Sequence, residues 1–233
     1  MNEAEGLKRA AAEKAAEWIR DGMTLGLGTG STVRHLLDVI AERRAAGEWA
    51  AVVGIPTSED TAGRAGDLGI PLSSLDERPE VDLTIDGADE VDPRLGLIKG
   101  LGAALLREKI VAAASRELVI VADESKLVER LGTKAPLPVE VDPFGAAIQP
   151  AFLRSLGAEP TLRHRDGAPL VTDGGNLIFD CRFPAGIEDA ERLEARLALR
   201  PGVIESGLFL GMASAAVIAG ADGVRVLRRE GGR

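Results

Sequence analysis

A glycine-rich segment with three hydroxyl side chains, Gly26–Thr32, lies between a predicted strand and a predicted helix. Its glycines allow a ligand to approach the backbone, and the amide groups and dipole of a helix N-terminus favour an anion such as phosphate. Ser31 replaces the last glycine of the dinucleotide-binding pattern, and no Gly-Lys pair of the Walker A loop follows. Phosphate binding therefore competes with a simpler interpretation, a tight turn in which Ser31 or Thr32 caps the helix.

An acidic segment, residues 86–92, follows directly after a predicted strand and reads Asp-Gly-Ala-Asp-Glu-Val-Asp. Ligands of open α/β sheets bind at the carboxyl ends of the strands, which is where Asp86 and Asp89 would lie. Gly87 and Ala88 between them would permit a bend that turns both carboxylates into one cleft. A solvated acidic loop and a metal site are the alternatives, but the spacing does not match the calcium-binding loop.

A third segment, residues 99–109, combines a glycine-containing turn with the start of a predicted helix. Lys99 would balance part of the acidic charge at residues 86–92. Glu108 has apolar residues three and four positions away on either side, and the charged trio 107–109 spans about 200° of helix surface. At least one of the three is therefore expected to face inward, and burial would raise the pKa of Glu108 towards the value that a general base needs. A broadly exposed polar patch is the alternative.

Four further side chains have chemically useful types but simpler explanations. Lys126 follows the predicted strand 118–122 and could reach an anionic ligand at the same sheet edge, or could be a surface lysine beside a helix cap. His35 lies inside a predicted helix and His164 between two arginines, so we expect a structural and a surface role. Cys181 lies in a strand pattern and is expected to be a buried, inert thiol.

The elements that must position these residues alternate between strand and helix over the first half of the chain. The predicted strands are 23–27, 51–55, 81–85 and 118–122, and the predicted helices are 4–20, 31–44, 58–68 and 103–114. Strand–helix repetition with short glycine-rich junctions is typical of an open, Rossmann-like α/β fold. We therefore predict a mostly parallel sheet with helices on both faces.

The pattern changes after Gly132, where four prolines fall within a short stretch of chain. A helix is predicted over 151–156, a strand over 176–183 and a second helix over 187–199. Residues 131–204 are therefore predicted to form a smaller inserted α+β domain, a lid or an oligomer interface. Residues 1–130 and 205–233 would form the α/β catalytic domain, with strands from 208–226 returning to it.

Composition narrows the possible functions of this 233-residue chain, which has a formal net charge of −9. One cysteine excludes an intrachain disulfide and a cysteine-cluster zinc site, and two histidines and no tyrosine leave carboxylates and lysines for proton chemistry. The acidic balance and 3% aromatic content argue against nucleic-acid and anionic-membrane partners. Because neither a signal peptide nor a membrane-length apolar run is present, we expect a soluble, cytoplasmic protein.

These segments together resemble the type A family of ribose-5-phosphate isomerases over nearly the whole chain. Any one motif is weakly specific, but six occur in order and with similar spacing. They are Gly28-Thr-Gly-Ser-Thr32, Asp86-Gly-Ala-Asp-Glu90, Lys99-Gly-x-Gly-Ala-Ala-Leu-x-Arg-Glu-Lys109, Ala122-Asp-x-Ser-Lys126, Pro136-Leu-Pro-Val-Glu-Val141 and Val171-Thr-Asp-x-Gly-Asn176. Leu101 departs from the pattern, since many relatives carry glycine or a polar residue there, and only its backbone is expected to matter.

The resemblance implies interconversion of ribose 5-phosphate and ribulose 5-phosphate, in the non-oxidative branch of the pentose phosphate pathway, without metal or organic cofactor. It implies that Glu108 moves a proton between C1 and C2 and that Lys99 stabilises the enediolate oxygen. Asp86 and Asp89 would assist ring opening and hydroxyl proton transfer. The residues implied to bind this phosphosugar substrate are Lys8, Thr29, Gly30, Ser31, Thr32, Asp86, Gly87, Ala88, Asp89, Lys99, Gly100, Leu101, Gly102 and Lys126. A homodimer or a dimer of dimers is also implied.

Two other classes of protein remain as alternatives at this point. A phosphosugar-sensing regulator would usually carry a DNA-binding helix-turn-helix before its sensor domain, whereas the predicted sheet begins near residue 23. An amino-sugar-phosphate deaminase or a coenzyme A transferase of similar fold is the second. The deaminase would be expected to use a catalytic histidine, and neither His35 nor His164 adjoins the acidic segment.

Overall fold

The computed structural model describes residues 3–229. The helices α1–α6 are Glu3–Ala16, Ser31–Ala45, Glu59–Asp67, Leu105–Ala113, Gln149–Ser155 and Ala190–Ala198, with 3₁₀ turns at Glu124–Lys126 and Ala146–Ile148. The strands β1–β15 are Thr24–Leu27, Val53–Pro56, Val81–Gly87, Glu90–Val91, Leu97–Ile98, Ser115–Asp123, Leu137–Val141, Glu159–Leu162, His164–Arg165, Ala168–Pro169, Leu177–Arg182, Val203–Ser206, Leu208–Phe209, Ala215–Gly220 and Gly223–Arg228. Among the described residues, no helix combines the length and the apolar character needed to cross a membrane.

The first group of elements is built around a six-stranded sheet with the order β2-β1-β3-β6-β14-β15. Its neighbouring strands are parallel except for β15, which runs antiparallel to β14. Parallel strands need helical crossovers and are buried on both faces, which explains the apolar character of β6 and β14. The prediction of an open, mostly parallel α/β sheet is therefore confirmed.

Helices cover both faces of this sheet. Leu25 and Leu27 of β1 belong to the larger apolar cluster, which also contains the buried faces of α1 and α2. On the other face, Val111 of α4 packs against the sheet at Gly26. A Cβ atom at Gly26 would lie 1.8 Å from Thr84 Oγ1 and 2.7 Å from Val111 Cγ1. Glycine at this position therefore allows α4 to pack directly on the strands.

A second group of elements has its own apolar core. The strands order as β12-β7-β11-β8 in a four-stranded antiparallel sheet and as β13-β5-β4 in a three-stranded antiparallel sheet. Val139 of β7 and Phe179 of β11 are paired and lie in this core, together with Leu193 and Leu197 of α6. The last two are one turn apart on the apolar face of the helix.

The chain separates into two compact units, whose boundaries differ from those expected from the sequence. The first unit contains the residues up to 88, residues 107–126 and the residues from 212 onward, and the second contains 89–106 and 127–211. Strands β4, β5 and β13 fall in the second unit because they pair with one another, a pairing between distant residues that spacing does not reveal. The division into folding domains stays a prediction, and residues 1–2 and 230–233 lie outside the described chain.

The single cysteine of the chain, Cys181, lies in β11 and is 1% exposed. Burial, and secondarily the charge of Asp180, raises the pKa of this thiol from 9.0 to about 12. Because the thiolate is the reactive form, we expect the folded protein to resist labelling by a thiol reagent such as DTNB at pH 8, and the urea-unfolded chain to react with one equivalent. Rapid labelling without urea would contradict this assignment.

The same shift in pKa makes stability depend on alkaline pH. Between pH 9 and pH 12 the unfolded thiol ionises while the folded thiol of Cys181 stays protonated. Its contribution to stability is therefore present below pH 9 and is lost as the pH rises towards 12. The free energy of unfolding, measured in urea at pH 7 and at pH 10, should fall between the two pH values. In Cys181→Ala the part of this fall that is due to the thiol should be missing.

Candidate active site

The loop before α2 exposes the beginning of that helix. Gly30 occupies the N-cap position with φ 122°, and having no side chain it cannot cap the first turn. Ser31 is exposed and Thr32 half-buried within that turn, so neither is the cap that the simpler interpretation of this segment required. The amide groups of the turn and the helix dipole together form an environment that suits an anion.

A cluster of buried hydroxyl groups supports this loop. The Thr29 hydroxyl lies 2.8 Å from Thr57 Oγ1 and donates to Ser58 Oγ at 2.8 Å. The Thr61 hydroxyl donates to the Gly28 carbonyl oxygen at 2.8 Å, and Ser58 caps α3 by accepting the Thr61 N–H at 3.1 Å. The Thr29 hydroxyl is therefore engaged in hydrogen bonds with other side chains of the protein. The spacing of residues in the sequence did not link this hydroxyl cluster to the 26–32 loop.

Asp86, near the end of β3, is 1% exposed and lies against the same loop. Its Oδ1 accepts the N–H of Thr29 at 3.1 Å and that of Gly87 at 2.7 Å. A Cβ atom at Gly28 would lie 2.1 Å from this oxygen and 2.6 Å from the Asp86 Cα. The glycine predicted to allow close approach of a ligand is thus needed first for close approach of the Asp86 carboxylate.

Glu108 lies in the first turn of α4 and is 3% exposed. Helix α4 leads into β6 and so runs antiparallel to the parallel strands, with Val111 against Gly26. Glu108 is about one turn, roughly 5 Å, nearer the carboxyl edge than Val111. Gly28 and Asp86 lie about 6.6 Å beyond Gly26 and Thr84 along the strands. Glu108 therefore lies on the same face of the sheet as Asp86 and at a similar level.

Glu108 is the most buried member of the charged trio 107–109. Arg107 Nη1 donates to Glu59 Oε1 at 2.7 Å in an exposed ion pair, and Lys109 is half-buried. The prediction that at least one of the three faces inward is therefore confirmed, and the inward residue is Glu108.

Two lysines of the first unit belong to elements that reach the same sheet edge. Lys126 is half-buried in the 3₁₀ turn that follows β6. Lys8 Nζ in α1 donates to Glu5 Oε1 at 2.7 Å, and Glu5 Oε2 lies 2.9 Å from His35 Nε2 in α2. These hydrogen bonds, first from Lys8 and then from His35, lower the pKa of Glu5.

In the second unit, Lys99 directly follows β5 and is 2% exposed. Its N–H donates to the Gly207 carbonyl oxygen at 2.9 Å. Its ammonium nitrogen lies 5.4 Å from the ring centroid of Phe209, a buried residue of the paired strand β13. The negative face of an aromatic ring attracts a cation, so Phe209 helps to hold Lys99. Nothing in the spacing of the sequence links residues 99 and 209.

The loop after Lys99 is held by Asp89. This residue directly precedes β4 and lies at the same end of the three-stranded sheet, because β4 and β5 are antiparallel with Glu90 opposite Ile98. Gly100 adopts φ 104°, and a Cβ atom there would lie 2.8 Å from Leu105 Cδ2, so both conformation and space favour glycine. Leu101 N–H donates to Asp89 Oδ2 at 3.0 Å, and Asp89 N–H donates to the Ile98 carbonyl oxygen at 2.8 Å. One of the predicted carboxylates is therefore bonded to the predicted substrate loop.

Glu90, in the same acidic motif, has a structural role. It is completely buried and accepts three backbone N–H groups, from Gly132 at 2.6 Å, Lys134 at 2.5 Å and Ala135 at 2.7 Å. These bonds tie the acidic motif to the chain that precedes β7. Because its carboxylate oxygens are bonded to these backbone groups, Glu90 is assigned a structural role. In this it differs from Asp86 and Asp89, which are candidates for contact with the substrate.

The predicted site residues thus fall into two groups. The first unit brings Thr29, Gly30, Ser31, Thr32, Asp86 and Glu108 towards the carboxyl edge of its sheet, with Lys8 and Lys126 on elements that end or begin there. The second unit contains Asp89, Lys99, Gly100, Leu101 and Gly102. Along the chain only Gly87 and Ala88 separate Asp86 from Asp89. His164 is exposed, as expected.

Comparison with known proteins identifies the family. A profile of the family described as ribose 5-phosphate isomerase A (phosphoriboisomerase A) matches residues 53–223. The ribose-5-phosphate isomerase A of Roseiflexus castenholzii is 56% identical over 218 residues, 93% of each chain. A solved D-ribose-5-phosphate isomerase in complex with phospho-erythronic acid has a TM-score of 0.95 and 40% identity, covering 98% of this chain and 100% of that one. The enzyme from Plasmodium falciparum has a TM-score of 0.94 and 40% identity, covering 97% and 99%. As the six motifs predicted, the chain belongs to the ribose 5-phosphate isomerase A family.

Proposed function

We propose that this chain interconverts ribose 5-phosphate and ribulose 5-phosphate through an enediolate. The observation that carries the proposal is the buried Glu108 carboxyl, on the same sheet face as Asp86 and at a similar level. Membership of the family makes the chain an aldose–ketose isomerase. A relative with 40% identity binds phospho-erythronic acid, which supports a sugar phosphate as the substrate.

The substrate phosphate binds at the start of α2. The amide groups of the first turn carry partial positive charge, and Ser31 and Thr32 add hydroxyl donors. Lys8 and Lys126 supply full positive charges from elements at the same sheet edge. The Thr29 hydroxyl is bonded to its own cluster, so Thr29 acts through its backbone.

The proton transfer uses Glu108 as the base. It removes the proton from C2 of the open-chain aldose and returns it to C1, while the C2 hydroxyl proton moves to O1. Lys99 stabilises the negative oxygen of the enediolate, because a fixed cation in a buried site interacts strongly with developing charge. Asp86 and Asp89 assist ring opening and the hydroxyl proton transfer. No step requires a metal or an organic cofactor.

A coupled assay of ribose 5-phosphate conversion in the presence of EDTA tests this function. We expect turnover with ribose 5-phosphate, none with unphosphorylated ribose, and no loss of rate on adding EDTA. Binding of ribose 5-phosphate without conversion would instead support a phosphosugar sensor. Loss of activity on chelation would support a metal-dependent isomerase.

Gly28→Ala is expected to lower kcat by about 100-fold or more, because a new Cβ atom would displace the Asp86 carboxylate and main chain. The matched control is Gly63→Ala, an exposed helical position in α3 with no atom within 4 Å of the added Cβ. We expect that variant to keep the kcat of the unmodified protein and a slightly higher stability. Equal activity of the two variants in the coupled assay would contradict the close packing of Gly28 on Asp86.

The cellular setting belongs to the same proposal. We place the reaction in the non-oxidative branch of the pentose phosphate pathway, in the cytoplasm, and expect a homodimer or a dimer of dimers. Light scattering of the purified protein at micromolar concentration measures the mass directly. A monomer that retains full activity would contradict the expected assembly.

A further inference from the structure

Arg163, which directly follows β8, contacts the loop after Lys99 from a distant part of the sequence. Its side chain is 11% exposed. Nε donates to Asp180 Oδ2 at 2.9 Å, and Nη2 donates to the other carboxylate oxygen. Nη1 donates to the carbonyl oxygens of Gly100 at 2.8 Å and Leu101 at 3.2 Å. One guanidinium group therefore joins a sheet carboxylate to two consecutive peptide groups of the loop.

The position of this guanidinium is set by the sheet. The Arg163 N–H donates to the Ile178 carbonyl oxygen at 2.8 Å, and its carbonyl oxygen accepts the Leu170 N–H at 2.9 Å. A two-point contact between arginine and a carboxylate fixes the plane of the guanidinium as well as its position. Arg163 is thus a rigid anchor for the loop.

The anchor also orients the peptide groups of the loop. In a trans peptide the C=O and N–H bonds point in opposite directions. Because the carbonyl groups of Gly100 and Leu101 point at Arg163, the N–H groups of Leu101 and Gly102 must point away from it. The Leu101 N–H does so and reaches Asp89 Oδ2 at 3.0 Å.

We propose that Arg163 is a positioning residue for the isomerisation. By holding two carbonyl groups of the 100–102 loop, it directs the Gly102 N–H and the Asp89 carboxylate towards the sugar and makes no contact with substrate itself. This inference rests on the proposed function, in which Asp89 assists proton transfer, and on the substrate contact that the family resemblance implies for Gly102. It adds a residue outside all six family motifs to the machinery of the site.

The test compares Arg163→Met with Arg165→Met, an exposed arginine of the adjacent strand β9. We expect Arg163→Met to lower kcat, normalised to the folded fraction measured by circular dichroism, by about 10- to 100-fold. The inhibition constant of inorganic phosphate should stay within about two-fold, because phosphate binds at the start of α2. Arg163→Lys should give an intermediate kcat, since an ammonium group can still donate to one of the two carbonyl oxygens.

Three outcomes would overturn the inference while leaving the proposed function intact. They are a kcat of Arg163→Met within two-fold of Arg165→Met, a kcat loss matched by an equal weakening of phosphate inhibition, and no recovery of kcat in Arg163→Lys. The second would indicate a general structural role, and the third would exclude the hydrogen bonds as the cause. Absence of turnover in both the unmodified protein and Arg165→Met would instead refute the proposed function.

Discussion

Glu108→Gln is expected to lower kcat for ribose 5-phosphate by roughly 10³-fold, because general base catalysis contributes factors of this size and the amide cannot accept the C2 proton. The substitution keeps the shape of a side chain that is 3% exposed, so the helix and its packing should persist. We expect KM to change far less than kcat, because the base acts on the transition state and the phosphate sites stay intact.

The control for this measurement is Glu117→Gln, an exposed glutamate in β6, which should keep the activity of the unmodified protein. Both variants are measured in the coupled assay, with folding checked by circular dichroism. A Glu108→Gln variant with kcat within ten-fold of the unmodified protein would remove Glu108 from the role of base.

Lys99→Met should lower kcat by about 10²- to 10³-fold, the usual effect of removing one electrostatic donor to a developing oxyanion. Methionine has a similar length and polarisable character, so it can occupy the buried space beside Phe209 without the charge. Because the enediolate charge exists only during the reaction, kcat should fall much more than KM rises.

Lys14→Met provides a matched control, since Lys14 is a half-exposed lysine of α1 paired with Glu17 at 2.8 Å. It should show the kcat and KM of the unmodified protein. If Lys99→Met instead raises KM at unchanged kcat, Lys99 binds the ground state of the substrate and does not stabilise the enediolate.

Local patterns were enough to predict the six helices and four strands of the central sheet, β1, β2, β3 and β6. The strand predicted at 81–85 appears as Val81–Gly87, and the helix predicted at 31–44 appears as Ser31–Ala45. Helix α1 ends at Ala16, before the predicted residue 20, and the following residues form turns. These successes have a common cause: hydrophobic periodicity and capping depend on residues within a few positions of one another.

The unit boundaries and supporting contacts could not be predicted in this way. Residues 89–106 belong to the second unit because β5 pairs with β13, more than 100 positions later. The Thr29 hydroxyl bonds to Thr57 and Ser58 about 30 positions away. No local period connects such residues, and their contacts depend on how whole elements pack.

For this chain, the linear order of residues was sufficient to identify the family, the α/β sheet and the side chains proposed to react. Motif spacing carries that information because each motif includes or directly adjoins a strand of the fold. Folding selected Glu108 as the buried member of a charged trio, placed Phe209 beside Lys99 and joined Arg163 to the 100–102 loop. The burial of Glu108 depends on how helix α4 packs, and the two contacts join residues far apart in the chain. Packing and hydrogen-bond geometry therefore establish these features, and sequence spacing does not.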